Sequence, residues 1–152
     1  MAGILGLLMG AALALLMEFR AKGIRTAREL EEISGRTVLG QIPQFPEKAR
    51  NKTLSYLSRN PTSAAAEAVR NLRTSILLSD IDKAPQIIAM TSSVPGEGKT
   101  TVTLALAQNL TLMGKRVLVV EGDIRRRVFA QYFNVPYDRG LVAVLSGQVE
   151  LQ

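Results

Sequence analysis

A chain of 152 residues with 47% apolar and 21% charged residues is long enough for one modest domain. Cysteine and histidine are both absent, which excludes disulfides, thiolate metal sites, histidine general bases and Ser/His or Cys/His nucleophiles and leaves carboxylates, Lys, Arg and backbone amides for any chemistry. The formal net charge is +6, but aromatics are only 5% of the chain and none lies in a base-stacking motif, so nucleic acid is not expected as a partner.

In chain order, the first element is the run Ala2–Met17 (AGILGLLMGAALALLM), which contains no charged residue. With Glu18 and Phe19 it approaches the roughly 20 residues that a spanning helix needs. A secretory signal would carry a basic region before the apolar run, whereas here Arg20, Lys22, Arg25 and Arg28 follow it. Residues 1–19 are therefore expected to form one transmembrane helix, with everything after Phe19 cytoplasmic by the positive-inside rule. Gly3, Gly6, Gly10 and Ala14 would let another helix pack closely.

Residues 20–60 form a basic juxtamembrane segment and linker: Arg20 to Arg59 holds nine basic residues against four acidic ones. Within it, Ile24, Ala27, Leu30 and Ile33 recur every three residues, which predicts a short helix with Thr26 as cap and Gly35 as stop. Val38–Ile42 is predicted as a short strand, and the polar stretch Glu47–Asn60 as linker. Residues 61–152 then make the main segment. Asn60-Pro61-Thr62-Ser63 signals a helix start, and the spacing predicts a helix over Ala64–Leu78 with Val69, Leu72 and Ile76 on its apolar stripe. Glu67, Arg70 and Arg73 step along its polar side. They read either as a solvated face with local ion pairing or as a self-association surface.

Ile87–Met90 has strand character and leads into Ser93-Val94-Pro95-Gly96-Glu97-Gly98-Lys99-Thr100-Thr101, followed by a helix to about Met113 that stops at Gly114. Strand, glycine-rich loop and helix make the context of a P-loop, although Ser93 stands where the GxxxxGK[ST] pattern has its first glycine. Gly96 and Gly98 permit the tight turn that aims N–H groups at phosphate oxygens, and the helix N-terminus adds partial positive charge. Lys99 would reach the β- and γ-phosphates and the Thr100 hydroxyl would ligate Mg²⁺. Pro95, Gly96, Glu97, Gly98, Lys99, Thr100 and Thr101 are thus the expected nucleotide contacts. A further strand, Arg116–Val120, ends at Glu121-Gly122-Asp123. Carboxylates at such a strand end are placed to hold a metal or its waters, or to act as base toward an attacking hydroxyl. The alternative is an acidic turn that caps a helix.

Four stretches together resemble the bacterial tyrosine kinases of capsule and exopolysaccharide synthesis, the cytoplasmic part of polysaccharide co-polymerases. They are GIRTAREL with VLGQIP, EAVRNLRTSI, TSSVPGEGKTT, and VLVVEGDIRRR followed by YFNVPYDRGLVAVLSG. The order of the four motifs is more specific than any one of them, and they cover nearly the whole chain. The partition and site-selection ATPases, a related P-loop family, carry an extra lysine five positions before the P-loop lysine, where this chain has Val94.

The resemblance implies an α/β fold, a P-loop NTPase-type parallel sheet flanked by helices, incomplete here and preceded by one transmembrane helix. It implies a tyrosine autokinase that uses ATP and Mg²⁺ at the bacterial inner membrane, regulates chain length and export with the polysaccharide polymerisation machinery, and works as a homo-oligomer. By position, Lys99, Glu121 and Asp123 become its catalytic residues, Thr100, Glu121 and Asp123 its metal ligands, and Glu67, Arg70 and Arg73 its inter-subunit contacts. Glu121 stands where the family has aspartate, and Arg127 where it usually has proline. The chain is expected to be a fragment, the second transmembrane helix plus the N-terminal part of the kinase domain, truncated before the Walker B strand and the tyrosine cluster. The alternative is a non-catalytic, membrane-anchored regulator of chain length or assembly.

Overall fold

Leu, Ala and Met dominate residues 2–17, and these strong helix formers give the first helix, α1 (Ala2–Arg20), in a computed structural model of the chain. The structure describes residues 2–20, 23–46, 50–80, 82–123, 128–133 and 140–150. By its internal contacts the chain divides into two compact units, residues 1–38 and 39–152.

In the first unit, Ile4, Leu7, Leu8, Met9, Leu13, Leu15, Leu16 and Met17 of α1 are all exposed. The transmembrane helix expected at residues 1–19 is a helix, but among the described residues no helix is long and apolar enough to cross a membrane. The charge-free stretch Ala2–Met17 is short for a span. Sixteen residues at about 1.5 Å each reach about 24 Å, against a hydrocarbon core of about 30 Å. The second helix, α2 (Ala27–Ser34), starts and stops where the sequence indicates. Thr26 Oγ1 accepts the Glu29 amide at 3.2 Å, Glu29 Oε2 accepts the Arg25 amide at 3.0 Å, and Gly35 closes the helix in the left-handed region at φ 64°. Glu31 Oε1 then accepts the Val38 amide at 2.7 Å and ties the outgoing chain back to the helix.

The second unit is built on α3 (Arg50–Arg59), α4 (Ala64–Leu77) and α5 (Lys99–Leu112), with α4 and α3 both packed on α5. A short α6 (Leu141–Leu145) and a 3₁₀ turn (Phe129–Gln131) follow. Ser63 caps α4, its Oγ accepting the Ala66 amide at 3.3 Å. Leu57 of α3, Ala65, Ala66 and Val69 of α4 and Ala105 of α5 form the buried cluster, and Ile42, Phe45, Leu54 and Tyr56 pack around it. Three alanines in that cluster let the helices approach closely. Gln108 Nε2 donates to Ser58 Oγ at 3.0 Å and stitches α5 to α3.

Two sequence-based expectations are corrected here. Within the predicted linker Glu47–Asn60, residues 50–59 are helix α3, which supplies buried Leu57 and Thr53 to the core. Its polar composition hides a narrow apolar face that only tertiary packing uses. Leu57→Ala should therefore cost about 2–3 kcal/mol of stability, read as a lowered thermal midpoint by circular dichroism; a linker residue would leave the midpoint unchanged.

The three expected strands, Val38–Ile42, Ile87–Met90 and Arg116–Val120, are not strands: among the described residues no β-strand is present. Apolar runs of this kind become strands by pairing, and no backbone hydrogen bond joins 87–90 to 116–120 among the described residues. Ile87 is accordingly 93% exposed and Leu118 76% exposed. The tract around Arg127 and Tyr137 lies outside the described residues.

Candidate nucleotide site

The loop between Met90 and α5 bends where its glycines permit. Gly96 and Gly98 sit at φ 91° and φ 89°, in the region that disfavours any side chain with a Cβ, and a Cβ built at either would meet nothing within 4 Å. Gly98 is the N-cap of α5, and among the described residues no side chain caps that terminus. The first-turn N–H groups of α5 are therefore left for an external acceptor, which the helix dipole favours as an anion.

Lys99 and Thr100 open α5 and are half-buried; among the described residues Lys99 makes no ion pair. The Thr103 hydroxyl donates to the Lys99 carbonyl at 2.8 Å and steadies this first turn. Pro95 and Glu97 are exposed. The Glu97 carboxylate turns back on its own loop, Oε2 accepting the amides of Ser93 at 2.9 Å and Val94 at 3.3 Å. A phosphate contact by Glu97 therefore falls to its backbone amide, while its side chain shapes the loop. The Thr101 hydroxyl bonds the Tyr132 hydroxyl, a partner that sequence reasoning missed. Only the Phe129/Phe133 spacing hinted at order there, and those rings meet edge to face at 6.3 Å.

Glu121 and Asp123 are both half-buried. Glu121 Oε1 accepts the amides of Val128 and Phe129, the latter at 3.0 Å, so this carboxylate caps the 3₁₀ turn. Among the described residues no three Asp, Glu, His or Cys side chains converge on a metal-sized site. Mg²⁺ is held by one or two protein oxygens, water and the phosphates of its nucleotide, a demand that the Thr100 hydroxyl and the Asp123 carboxylate have the donor chemistry to meet. The loop likewise fits a nucleotide, with two glycines at positive φ, a helix start that no side chain caps among the described residues, and a lysine.

The self-association triad divides. Arg70 Nη2 pairs with Glu67 Oε2 at 2.5 Å within α4, and Arg70 Nη1 donates to the Pro61 carbonyl at 2.7 Å. Arg73 leaves that row: Nη1 donates to Asn109 Oδ1 of α5 at 2.6 Å, while its buried Nε has no hydrogen-bond partner among the described residues. Arg73 is thus a tether between α4 and α5.

Among the described residues, two glycines at positive φ, a helix start with no side-chain cap and a lysine with no ion pair are the arrangement of a P-loop nucleotide-binding segment, and residues 88–139 match the CobQ/CobB/MinD/ParA nucleotide binding domain. Over nearly its whole length the chain is similar to curated bacterial tyrosine-protein kinases. It is 30% identical over 160 residues to a Klebsiella pneumoniae protein described as a tyrosine-protein kinase in the cps region, covering 97% of this chain and 22% of that protein. It is 30% identical over 166 residues to the tyrosine-protein kinase etk of Escherichia coli K12, covering 97% of this chain and 23% of that protein. Among solved structures, the BceF tyrosine kinase domain superposes with a TM-score of 0.70 at 29% identity over 86% of this chain and 56% of that one. These neighbours support an α/β fold for the chain. The chain spans about a fifth of the length of these curated relatives.

Proposed function

We propose that the chain carries the nucleotide-gripping half of a protein-tyrosine autokinase that regulates capsule or exopolysaccharide chain length and export. The observation that carries this reading is the P-loop itself: Gly96 and Gly98 make the turn at positive φ, and among the described residues no side chain caps α5 and Lys99, at its first position, makes no ion pair. ATP is the proposed nucleotide, gripped by the backbone from Pro95 to Thr101 and by Lys99. Mg²⁺ would be held by Thr100 and the phosphates, with Asp123 as the family-assigned carboxylate, and would neutralise charge that develops during phosphoryl transfer.

Inner-membrane attachment is assigned to α1, whose apolar side chains are exposed along its described length. The part after α1 then faces the cytoplasm, beside the basic residues that follow it. Homo-oligomerisation is assigned to the exposed Glu67 and the adjoining Arg70 of α4. Arg73, already engaged with Asn109, would contribute only by holding α4 in place.

The test is phosphotyrosine formation on incubation with labelled ATP and Mg²⁺, in the wild type and in Lys99→Met. Phosphotyrosine in the wild type that disappears in Lys99→Met is the expected result, and incorporation that persists without Lys99 would sink the kinase reading. A second reading, a non-catalytic membrane-anchored regulator of chain length or assembly, is favoured by one observation: Glu121 is committed to backbone amides. Mg·ATP binding with no phosphotyrosine in either protein would select it.

A further inference from the structure

We infer that Glu121 is a positioning residue, whose carboxylate folds the Phe129–Gln131 turn and so seats Tyr132 on the P-loop helix, and that it is not a metal ligand. The inference rests on the nucleotide-binding reading for its consequence, and on four contacts for its geometry.

The first contact is the cap. Val128 precedes the 3₁₀ turn and its own side chain cannot cap it; the amides of Val128 and Phe129 both end on Glu121 Oε1. A carboxylate that accepts two backbone N–H groups is held in a charge-assisted arrangement. The second contact fixes the turn to α3, where Arg50 Nη1 donates to Gln131 Oε1. The third, the edge-to-face pair of Phe129 and Phe133, stiffens the turn itself.

The fourth reaches the site. Tyr132 places its hydroxyl on Thr101 Oγ1, in the first turn of α5 and two residues beyond Lys99. Thr103 and Thr111 of the same helix spend their hydroxyls on carbonyls four residues back, Lys99 and Ala107. Thr101 makes its bond with Tyr132 instead, so the P-loop helix is clasped from outside by a turn whose fold depends on Glu121.

Side-chain length matters to this assignment. Aspartate is shorter by one carbon–carbon bond, about 1.5 Å, which would draw an oxygen now 3.0 Å from the Phe129 amide out of hydrogen-bond range. Glutamine keeps the length and an acceptor oxygen but loses the charge. A cap and a metal ligand therefore rank the two substitutions in opposite orders. A cap tolerates Glu121→Gln and fails with Glu121→Asp; a metal ligand tolerates Glu121→Asp and fails with Glu121→Gln.

The test uses the full chain in detergent micelles, isotopically labelled at valine and phenylalanine, as wild type, Glu121→Gln, Glu121→Asp and Tyr132→Phe. Two readouts are taken: the amide shifts of Val128 and Phe129, and the affinity for a fluorescent ATP analogue with and without Mg²⁺. Glu121→Gln is expected to keep both amides hydrogen-bonded and to keep the Mg²⁺-dependent gain in affinity within about threefold of wild type. Glu121→Asp is expected to release both amides and to weaken nucleotide binding to the same extent as Tyr132→Phe, with or without Mg²⁺. Loss of the Mg²⁺-dependent gain in Glu121→Gln, or intact amide bonds in Glu121→Asp, overturns the inference while leaving the nucleotide site standing. If the wild type binds no nucleotide, the functional reading fails and the amide shifts alone decide the cap.

Discussion

Lys99→Met is expected to weaken Mg·ATP binding by about 30- to 150-fold, the equivalent of about 2–3 kcal/mol for a lost charge-assisted contact. Methionine keeps an unbranched stem and a similar helix propensity, so α5 and its first turn should persist. Lys99 makes no ion pair among the described residues, so its removal strands no internal partner. The thermal midpoint should accordingly stay close to that of the wild type while affinity collapses. Equilibrium titration with a fluorescent ATP analogue beside a melting curve separates these two effects. A parallel loss of stability would mean that Lys99 supports the fold and would remove the argument for a phosphate contact.

The second large effect is on stability. Val69 is 1% exposed, at the centre of the α3–α4–α5 cluster. Val69→Asp would place a carboxylate there with no cationic partner assigned to it, at a cost of about 4 kcal/mol. Against a typical total of about 5–15 kcal/mol for a domain, that is enough to leave residues 39–152 largely unfolded or easily melted. Asn71→Asp, on the exposed side of the same helix, adds the same charge and should change stability by less than about 0.5 kcal/mol. Comparable melting curves for the two variants would contradict the packing described above.

What could be read directly from the sequence was local. The Thr26 and Ser63 caps, the Gly35 stop and the Gly98-Lys99 junction are short-range devices, in which a side chain or a glycine acts on a backbone within three or four residues. The ranges of α2, α4 and α5 followed from them closely. Helix α3 escaped because Arg50–Arg59 carries only two strongly apolar residues, Leu54 and Leu57, and their burial depends on Ala66, Val69 and Ala105 arriving from elsewhere in the chain.

The predicted strands failed for a related reason. Ile87-Ile88 and Val117-Leu118 have the composition of buried strands, but a strand exists only through its neighbour's hydrogen bonds. At the site, the turn at Gly96 and Gly98 and the start of α5 at Lys99 were legible because the loop acts through its own backbone. The engagement of Glu121 with residues seven and eight positions later was not, although an acidic cap stood among the alternatives. Tyr132 on Thr101 spans 31 residues, and no spacing rule reaches that far.

The most direct test of the central claim is an equilibrium titration of the full chain with a fluorescent ATP analogue, with and without Mg²⁺ and with unlabelled ATP as competitor. The loop geometry predicts saturable binding that Mg²⁺ strengthens and ATP displaces. Absence of saturable binding up to about 1 mM nucleotide, in a chain whose circular dichroism shows α3, α4 and α5 folded, would contradict it.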